Sequence, residues 1–523
     1  MSDSGDPRHD NSGTGSRAQG PAQETAAGAG HEAGLPKGVL GMPEVLAQSI
    51  GGMGPSGAIA VLALLVFLNA GNGSWVSFAA AMVIIFCVGY CASQFARRFN
   101  SPGSFYVWVT RGFGAATGHA AGWALQLGYL ATGMATIFAF GVYGGDIITR
   151  LGGSGFNPAV QDVLYVVSFA FAVWLAISGI RLSTRALLVL EAISVTIIGV
   201  ICIAVFVSHG SPFDSTQFKL NGVGAGGIVV GVVLAAFAFT GFEGAGALGL
   251  ESKKPEKNVP RALLTSIILV GLFYIVVMYS QVYGFQGTKP GFANSTAPLP
   301  DLASIVHLSF FAYILDVGIL FSQFGATLAF INAAARVGST MARDGIGVPA
   351  MTRVSSRSRT PYVSIFVVAL PMLIVPLILA SAGAGPEEAI GWVGTVSAFG
   401  FILSYILVAM AAPVYLHRRG ERAGPVAIVG TVGALALVLA LYANWIPQIP
   451  SNSIFPPLSA PYTFLPYIFL GWMALGMAWY ALLRVRASRT IERPSGTQRD
   501  LGVSDGGDSA GIVLSPSRGE TEC

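Results

Sequence analysis

Charged side chains are scarce in this chain of 523 residues. Asp, Glu, Lys and Arg make up 10% of the sequence, while hydrophobic residues make up 53%. A typical soluble protein is about 25% charged. This hydrophobicity excludes a disordered chain, and a soluble core of reasonable size could not bury so much apolar surface. The composition therefore predicts an integral membrane protein whose surroundings are the lipid bilayer.

Cysteine and histidine are also rare, with four and six residues. Four cysteines are too few for a secreted disulfide scaffold, and the sequence contains no Cys-x-x-Cys pair and no Cys/His cluster. One stretch, Gly244 to Gly249, matches a dinucleotide-binding pattern, but it lies within an apolar helix and follows no strand. We therefore expect no metal site and no cofactor.

Two further classes of function lack the residues that they need. The net charge of +4 comes without a dense basic block, so nucleic acid is not an expected partner. No Ser/His/Asp set and no pair of carboxylates suited to catalysis is apparent in the sequence. We expect a protein that is not an enzyme.

Long apolar runs make up most of the chain. A helix needs about 20 mostly apolar residues to cross a bilayer, and these continuous runs do not resemble the short alternating strands of a membrane barrel. The sequence predicts an all-α membrane protein with twelve transmembrane helices. They lie at about 42–69, 73–96, 119–147, 160–180, 184–208, 226–250, 262–284, 309–340, 362–381, 388–412, 424–445 and 463–483.

Lysine and arginine fall mainly in the loops after even-numbered spans, and cytoplasmic loops are the ones enriched in these residues. We therefore expect both termini in the cytoplasm. The opposite side carries only Arg150, Lys219 and Lys289, whereas the cytoplasmic loops carry Arg97, Arg98, Arg111, Arg181, Arg185, Lys253, Lys254, Lys257, Arg261, Arg343, Arg353, Arg357, Arg359, Arg418, Arg419 and Arg422.

The two ends of the chain are polar and rich in small residues. We expect residues 1–38 and 486–523 to be disordered cytoplasmic tails. No apolar segment typical of a cleaved signal peptide is present in the first of them. Between the tails we expect a core at 39–412, made of two repeats at about 42–208 and 226–412, followed by two helices at 413–485.

Two predicted spans contain residues that interrupt a helix. The first span contains Ser49-Ile50-Gly51-Gly52-Met53-Gly54-Pro55-Ser56-Gly57, and the sixth contains Thr240-Gly241-Phe242-Glu243-Gly244. Proline and glycine disfavour a continuous helix, and a carboxylate at membrane depth costs at least about 2.5–3.5 kcal/mol on insertion scales. The alternative is a pair of simple kinks. Broken helices at matching positions, however, indicate the binding site of a transporter.

Both breaks fall in the first span of a block of five, so the second block would be inverted relative to the first. An unwound segment exposes N–H groups at the start of one half-helix and C=O groups at the end of the other. The donors suit a carboxylate, and the acceptors suit an ammonium group or a cation. The pattern therefore favours a zwitterion such as an amino acid as the small-molecule ligand.

Three motifs resemble those of the amino acid–polyamine–organocation (APC) permeases. FAFTGFEGAGALGLESKKPEKNVPRA, from Phe237 to Ala262, is similar to their sixth span and the loop after it. PGSFYVWVTRGFGAATGHAAGW, from Pro102 to Trp123, resembles the stretch between their second and third spans. NAAARVGSTMARDGIGVPAMTRVSSRSRTP, from Asn332 to Pro361, resembles their eighth span and following loop. The first span departs from the commoner family form because it contains Pro55.

This resemblance implies the LeuT-like fold with a five-plus-five inverted repeat and two extra helices. It also implies transport of amino acids or related amines across the cytoplasmic membrane by alternating access, through proton-coupled symport or exchange. In the sixth span, Phe237 matches the aromatic residue that covers the substrate, and Ala238, Phe239 and Thr240 would offer carbonyls to its ammonium group, next to Gly241.

In the first span, the candidate substrate site contains Gly51, Gly52, Met53, Gly54, Ser56 and Gly57. The resemblance implies that Gly54, Ser56 and Gly57 offer amides to the substrate's carboxylate, which Pro55 cannot. Phe330, placed by counting back from the Arg343-Asp344-Gly345 motif, is either the distal wall of the pocket or a lipid-facing residue.

Two carboxylates are candidates for coupling. Glu243 is either the group that takes up and releases the coupling proton or a hydrogen-bond acceptor that holds the broken helix together. Glu191, in the fifth span, is a weaker candidate. Some proton-coupled relatives carry a lysine in that span, but no lysine occurs here between Arg185 and Lys219. Coupling to H⁺, coupling to Na⁺ and plain exchange therefore remain open.

The carboxylate of Glu243 in the predicted pocket would favour cationic substrates such as arginine or a polyamine, while the apolar walls suit neutral side chains. Of the two, we expect a neutral or weakly polar amino acid as substrate. The alternative to a transporter is a membrane sensor that binds an amino acid in the same pocket without translocating it. The tails show no recognisable docking motif, which favours the transporter. The sequence leaves the oligomeric state open.

Overall fold

A computed structural model describes residues 40–99, 104–178, 184–220, 222–247, 252–289, 291–355, 358, 360–445 and 459–491. The predicted N-terminal tail, 1–38, lies outside these residues, and so does the C-terminal tail from residue 492 onward. Apart from one isolated bridge between Leu40 and Ser252, the described part of the chain contains no β-structure. The protein is all-α, as the sequence predicts.

Seventeen α-helices follow one another in the described residues. They are α1 Met42–Met53, α2 Pro55–Ala70, α3 Ser74–Ala96, α4 Ser104–Phe113, α5 Ala115–Arg150, α6 Pro158–Ser178, α7 Thr184–Ser208, α8 Ser215–Phe218, α9 Ala225–Phe237, α10 Gly244–Ala247, α11 Pro255–Gly284, α12 Pro298–Ile305, α13 Ser309–Arg343, α14 Tyr362–Ser381, α15 Pro386–Arg418, α16 Gly424–Trp445 and α17 Leu465–Ile491. Short 3₁₀ turns lie at Gly71–Gly73, Phe292–Asn294 and Pro349–Thr352.

The outer surface of the bundle is apolar. Leu272 and Ile374, on α11 and α14, are 50% and 44% exposed, and many other large hydrophobic side chains are exposed in the same way. Lipid offers no hydrogen-bond partners to backbone N–H and C=O groups, and in a helix these groups bond to one another. Ten helical stretches in the described residues are long and apolar enough to cross a membrane. The chain is therefore a multi-pass membrane protein.

The predicted number of twelve spans remains a prediction. One of the ten stretches, Met42–Ala96, is 55 residues long and contains α1, α2 and α3, which correspond to two predicted spans. The predicted sixth span contains α9, an apolar helix of only 13 residues. Helix α15 continues past the predicted end of its span at residue 412 to Arg418. Helix α17 continues to Ile491, past residue 486, at which the C-terminal tail is predicted to begin.

Helix α5 lies at the centre of the bundle, and its most apolar window is completely buried. It packs against α13 and α15. Polar side chains from all three helices donate hydrogen bonds to carbonyls of their neighbours, as is common where membrane helices pack. Examples are Gln126 to Ala334 at 3.0 Å, Ser397 to Gly128 at 2.8 Å and Ser404 to Ala121 at 3.0 Å.

Candidate functional site

The first predicted break separates α1 from α2 at Gly54. This residue has φ of +54°, and its N–H donates to the carbonyls of Ile50 and Gly51 at 3.2 and 3.3 Å. Glycine adopts this left-handed conformation without steric cost. Pro55 then begins α2, at a position where a helix makes no use of the missing N–H. The predicted interruption of the first span is confirmed, with its cause in the Gly-Pro pair.

The second break follows α9. The helix ends at Phe237, residues 238–243 form tight turns, and α10 begins at Gly244. Gly241 has φ of +103°, a conformation that side chains rarely adopt. The Tyr274 hydroxyl, from α11, donates to the Ala238 carbonyl at 2.9 Å. The predicted interruption of the sixth span is therefore also confirmed, and a neighbouring helix holds one of its carbonyls.

The two breaks are in direct backbone contact. A Cβ atom built on Gly241 would lie 2.2 Å from the carbonyl oxygen of Gly52, and one on Gly52 would lie 2.9 Å from the carbonyl oxygen of Gly241. The Ser49 hydroxyl also donates to the Phe242 carbonyl at 3.1 Å. Only glycine at both positions permits this approach. Gly52 and Gly241 therefore serve packing between the breaks.

A cavity lies where the two breaks meet. Its empty volume is about 470 Å³, including the space that is open to solvent, and its walls come from the two breaks and from α2, α5, α13 and α15. Seven residues singled out from the sequence line it, namely Met53, Gly54, Gly57, Phe237, Ala238, Thr240 and Phe330. Phe330, which the sequence left between a pocket wall and a lipid-facing position, lies in the wall.

Five other residues singled out from the sequence lie behind the cavity wall. Gly51 faces Leu188 on α7, and Phe239 packs against the ring of Tyr274 with centroids 5.3 Å apart. Gly52 and Gly241 are in the contact between the breaks. The fifth residue, Ser56, has its N–H directed at a side chain of the protein itself.

That side chain is Glu191, from α7. Its Oε1 atom accepts the N–H of Ser56 at 2.7 Å, and the residue is 7% exposed. The amide that the family resemblance assigns to a substrate carboxylate is therefore bonded to a carboxylate of the protein. A carboxylate is a favourable partner for the first turn of a helix, because the N–H groups there carry a partial positive charge.

Glu243 lies within the second break and is 2% exposed. Its two oxygens accept different donors: the Tyr129 hydroxyl of α5 at 3.1 Å and the Gly241 N–H at 3.0 Å. Tyr405 of α15 lies against the same carboxylate. These contacts connect the break to the central helices, as a structural role requires.

Several polar residues of the cavity were not singled out from the sequence. Gln323, on α13, donates from Nε2 to the Gly57 carbonyl at 2.9 Å, and Ser322 lies beside it in the wall. Thr132 and Thr136, four residues apart on α5, also line the cavity. The sequence contains a feature that could have identified each of these pairs. The Ser-Gln pair is a polar interruption of an apolar span, and the threonines share one helix face.

A hydrogen bond joins two of the motifs behind the family resemblance. The Tyr106 hydroxyl, in the motif from Pro102 to Trp123, donates to Asp344 of the Arg-Asp-Gly motif at 2.6 Å. Burial and the neighbouring Asp344 carboxylate raise the pKa of Tyr106 above its usual value. The hydroxyl therefore remains protonated and able to donate this bond at physiological pH.

Comparison with known proteins gives the family. A model of the amino acid permease family matches residues 40–475 of the chain. The chain belongs to the amino acid permease family. The breaks and the cavity therefore lie in the matched part, and membership makes this chain a transporter with a small-molecule substrate, not an enzyme.

Individual relatives are similar over most of their length. An uncharacterized transporter of Mycobacterium tuberculosis is 24% identical over 88% of this chain and 94% of its own. The branched-chain amino acid permease BcaP of Bacillus subtilis is 24% identical, over 81% of this chain and 88% of its own. The low-affinity putrescine importer PlaP of Escherichia coli is 26% identical, over 59% of this chain and 68% of its own. These names include both an amino acid and a polyamine.

Groups of three or more His, Cys, Asp or Glu side chains that could hold a metal ion do not occur in the described residues. The three cysteines in this part of the chain, Cys87, Cys91 and Cys202, are free thiols. The lining of the cavity offers backbone groups, hydroxyls, one side-chain amide and aromatic rings.

Proposed function

We propose that this permease is a secondary active transporter of amino acids or related amines in the cytoplasmic membrane, working by alternating access. The observation that carries the proposal is the cavity at the meeting point of two broken helices. The second break presents the carbonyl of Thr240 there, and the first turn of α2 presents the N–H of Gly57. A ligand with an ammonium group finds acceptors in that volume without a charged side chain in the cavity wall.

The contact between the breaks supports alternating access. The two breaks touch through Gly52 and Gly241 and through Ser49, so a change of angle at one break is transmitted to the other. Phe237 and Phe330 face the cavity from α9 and α13. Rocking of one set of helices against the other would open the cavity to each side of the membrane in turn.

For coupling, we propose proton symport or exchange. Both carboxylates are buried. Glu191, on α7, contacts the start of α2, and Glu243 lies within the second break. Each contacts backbone N–H groups of an interrupted helix, so gain or loss of a proton there changes the hydrogen bonds of the break itself. The orientation with both termini in the cytoplasm rests on the distribution of Lys and Arg.

Counterflow in proteoliposomes tests the proposal. Purified full-length protein is reconstituted with an unlabelled substrate inside, and accumulation of the labelled substrate is screened for the twenty amino acids and the common polyamines. We expect accumulation for one chemical class, without any added ion gradient. Thermal-shift binding without counterflow for any ligand would contradict transport and would indicate a sensor.

A further inference from the structure

The donors at the start of α2 are almost all in use. Gly54 donates to the last turn of α1, Pro55 has no N–H, and Ser56 donates to Glu191 at 2.7 Å. The N–H of Gly57 is the remaining first-turn donor at the cavity. A substrate carboxylate bound to it would lie next to the carboxylate of Glu191, because the two amides are consecutive, and like charges at that separation repel.

The carbonyls of the second break are also largely in use. In the second break, Ala238 accepts from Tyr274 and Phe239 accepts from Phe242. No described residue donates a hydrogen bond to the carbonyl of Thr240, which lines the cavity. None of the residues that line the cavity is Lys, Arg or His. Asp and Glu are absent from these lining residues too. The free carbonyl of Thr240 can accept a hydrogen bond from an ammonium group, and no basic side chain in the wall can pair with a carboxylate of the ligand.

Acidic residues lie in and beside a neighbouring cavity. A second cavity shares Val61 and Ile390 with the first and is lined by Tyr143 and Glu387. Beside it, Arg150 contacts Asp146, Asp301 and Asp316 at 2.7, 3.3 and 3.0 Å. One cation thus faces three carboxyl groups, in addition to Glu387. An excess of acidic groups near a cavity raises the local concentration of cations.

We propose that the substrate of this cavity is an organic amine without an α-carboxylate, and that Glu191 occupies the place that a substrate carboxylate would take. The proposal rests on the transport function proposed above and narrows its substrate class. It replaces the neutral amino acid favoured by the apolar walls, because the contact of Glu191 with α2 was not visible in the sequence.

Matched pairs of substrates test the proposal, since the members of each pair differ only in the carboxylate. The pairs are putrescine and ornithine, cadaverine and lysine, and agmatine and arginine, compared in counterflow with the wild-type protein; leucine and 3-methylbutylamine are compared by thermal shift. We expect at least one amine to be exchanged with a kcat/KM at least tenfold above that of its amino acid, and no pair to show the reverse.

Preference for the amino acid in any pair, or for leucine over its amine, would overturn the proposal and leave the transport function intact. Absence of exchange for every amino acid and amine would instead contradict the transport function. The two failures are therefore distinguishable in one data set.

The variant Glu191→Gln tests the negative charge alone. It removes the charge, but glutamine keeps an oxygen that can accept a hydrogen bond from the N–H of Ser56. We expect the ratio of amine to amino acid kcat/KM to fall at least tenfold. Glu256→Gln makes the same change at an exposed position in the first turn of α11 and should leave the ratio unchanged. An unchanged ratio in Glu191→Gln would overturn the assigned role. If that variant does not fold, the wild-type pairs still decide the substrate class.

Discussion

The backbone contact between the two broken helices can be tested by adding a single methyl group. Gly241→Ala places a Cβ atom 2.2 Å from the carbonyl oxygen of Gly52 and 2.6 Å from its carbonyl carbon. Both atoms belong to the backbone of α1, so no side chain can rotate away. The new residue must also adopt φ of +103°, which an L-amino acid rarely does.

The cost of this change follows from two independent terms. Restoring an ordinary contact requires α1 and the second break to move apart by about 1 Å, and overpacking of this kind costs about 1–3 kcal/mol. A non-glycine residue in a sparsely populated backbone conformation costs about another 1–3 kcal/mol. We therefore expect a loss of about 2–6 kcal/mol, together with a loss of transport because the breaks no longer fit.

Gly244→Ala is the matched control. Gly244, the first residue of α10, lies three residues further along the chain, and a Cβ atom there would have no neighbour within 4 Å. The apparent melting temperature of both purified variants can be measured by size-exclusion chromatography after heating, alongside uptake. We expect Gly241→Ala to melt several degrees below Gly244→Ala. Equal melting temperatures and equal uptake would refute the contact between the breaks.

Other substitutions test the cavity and its supports. Phe237→Leu should reduce uptake about tenfold at unchanged expression, which corresponds to about 1.4 kcal/mol of binding free energy. Phe239→Leu, behind the cavity wall, should affect thermal stability and leave uptake unchanged. Tyr274→Phe removes the hydrogen bond to Ala238 and should destabilise the protein by about 1 kcal/mol, whereas Tyr467→Phe, at an exposed residue, should not. Glu243→Gln should flatten the pH dependence of uptake, and an unaltered profile would assign Glu243 to holding the break.

Local chemistry made the breaks predictable. Gly54 and Pro55 interrupt the first span through their own backbone properties, and Gly241 does the same in the sixth. Such signals depend on a few consecutive residues, so they can be found without knowledge of the fold. The position of Phe330 could also be predicted, by counting back along one continuous helix from the Arg-Asp-Gly motif to the cavity wall.

Long-range contacts could not be predicted in the same way. Glu191 and Ser56 are 135 residues apart in sequence, and Tyr274 and Ala238 are 36 apart. In each pair, the side chain occupies a backbone group that the family resemblance assigns to the ligand. Which donors and acceptors of an unwound segment remain free depends on the neighbouring helices, and therefore on the tertiary structure.

The central claim is that the cavity between the breaks is the place at which the substrate is exposed to each side of the membrane in turn. A single-cysteine variant tests it, with Ala326→Cys in the cavity wall and alanine at Cys87, Cys91, Cys202 and Cys523. An impermeant thiol reagent is applied from either side of proteoliposomes in which the protein has one known orientation. We expect labelling from both sides, slowed by the transported substrate. Labelling from one side only, whatever the ligand, would contradict alternating access.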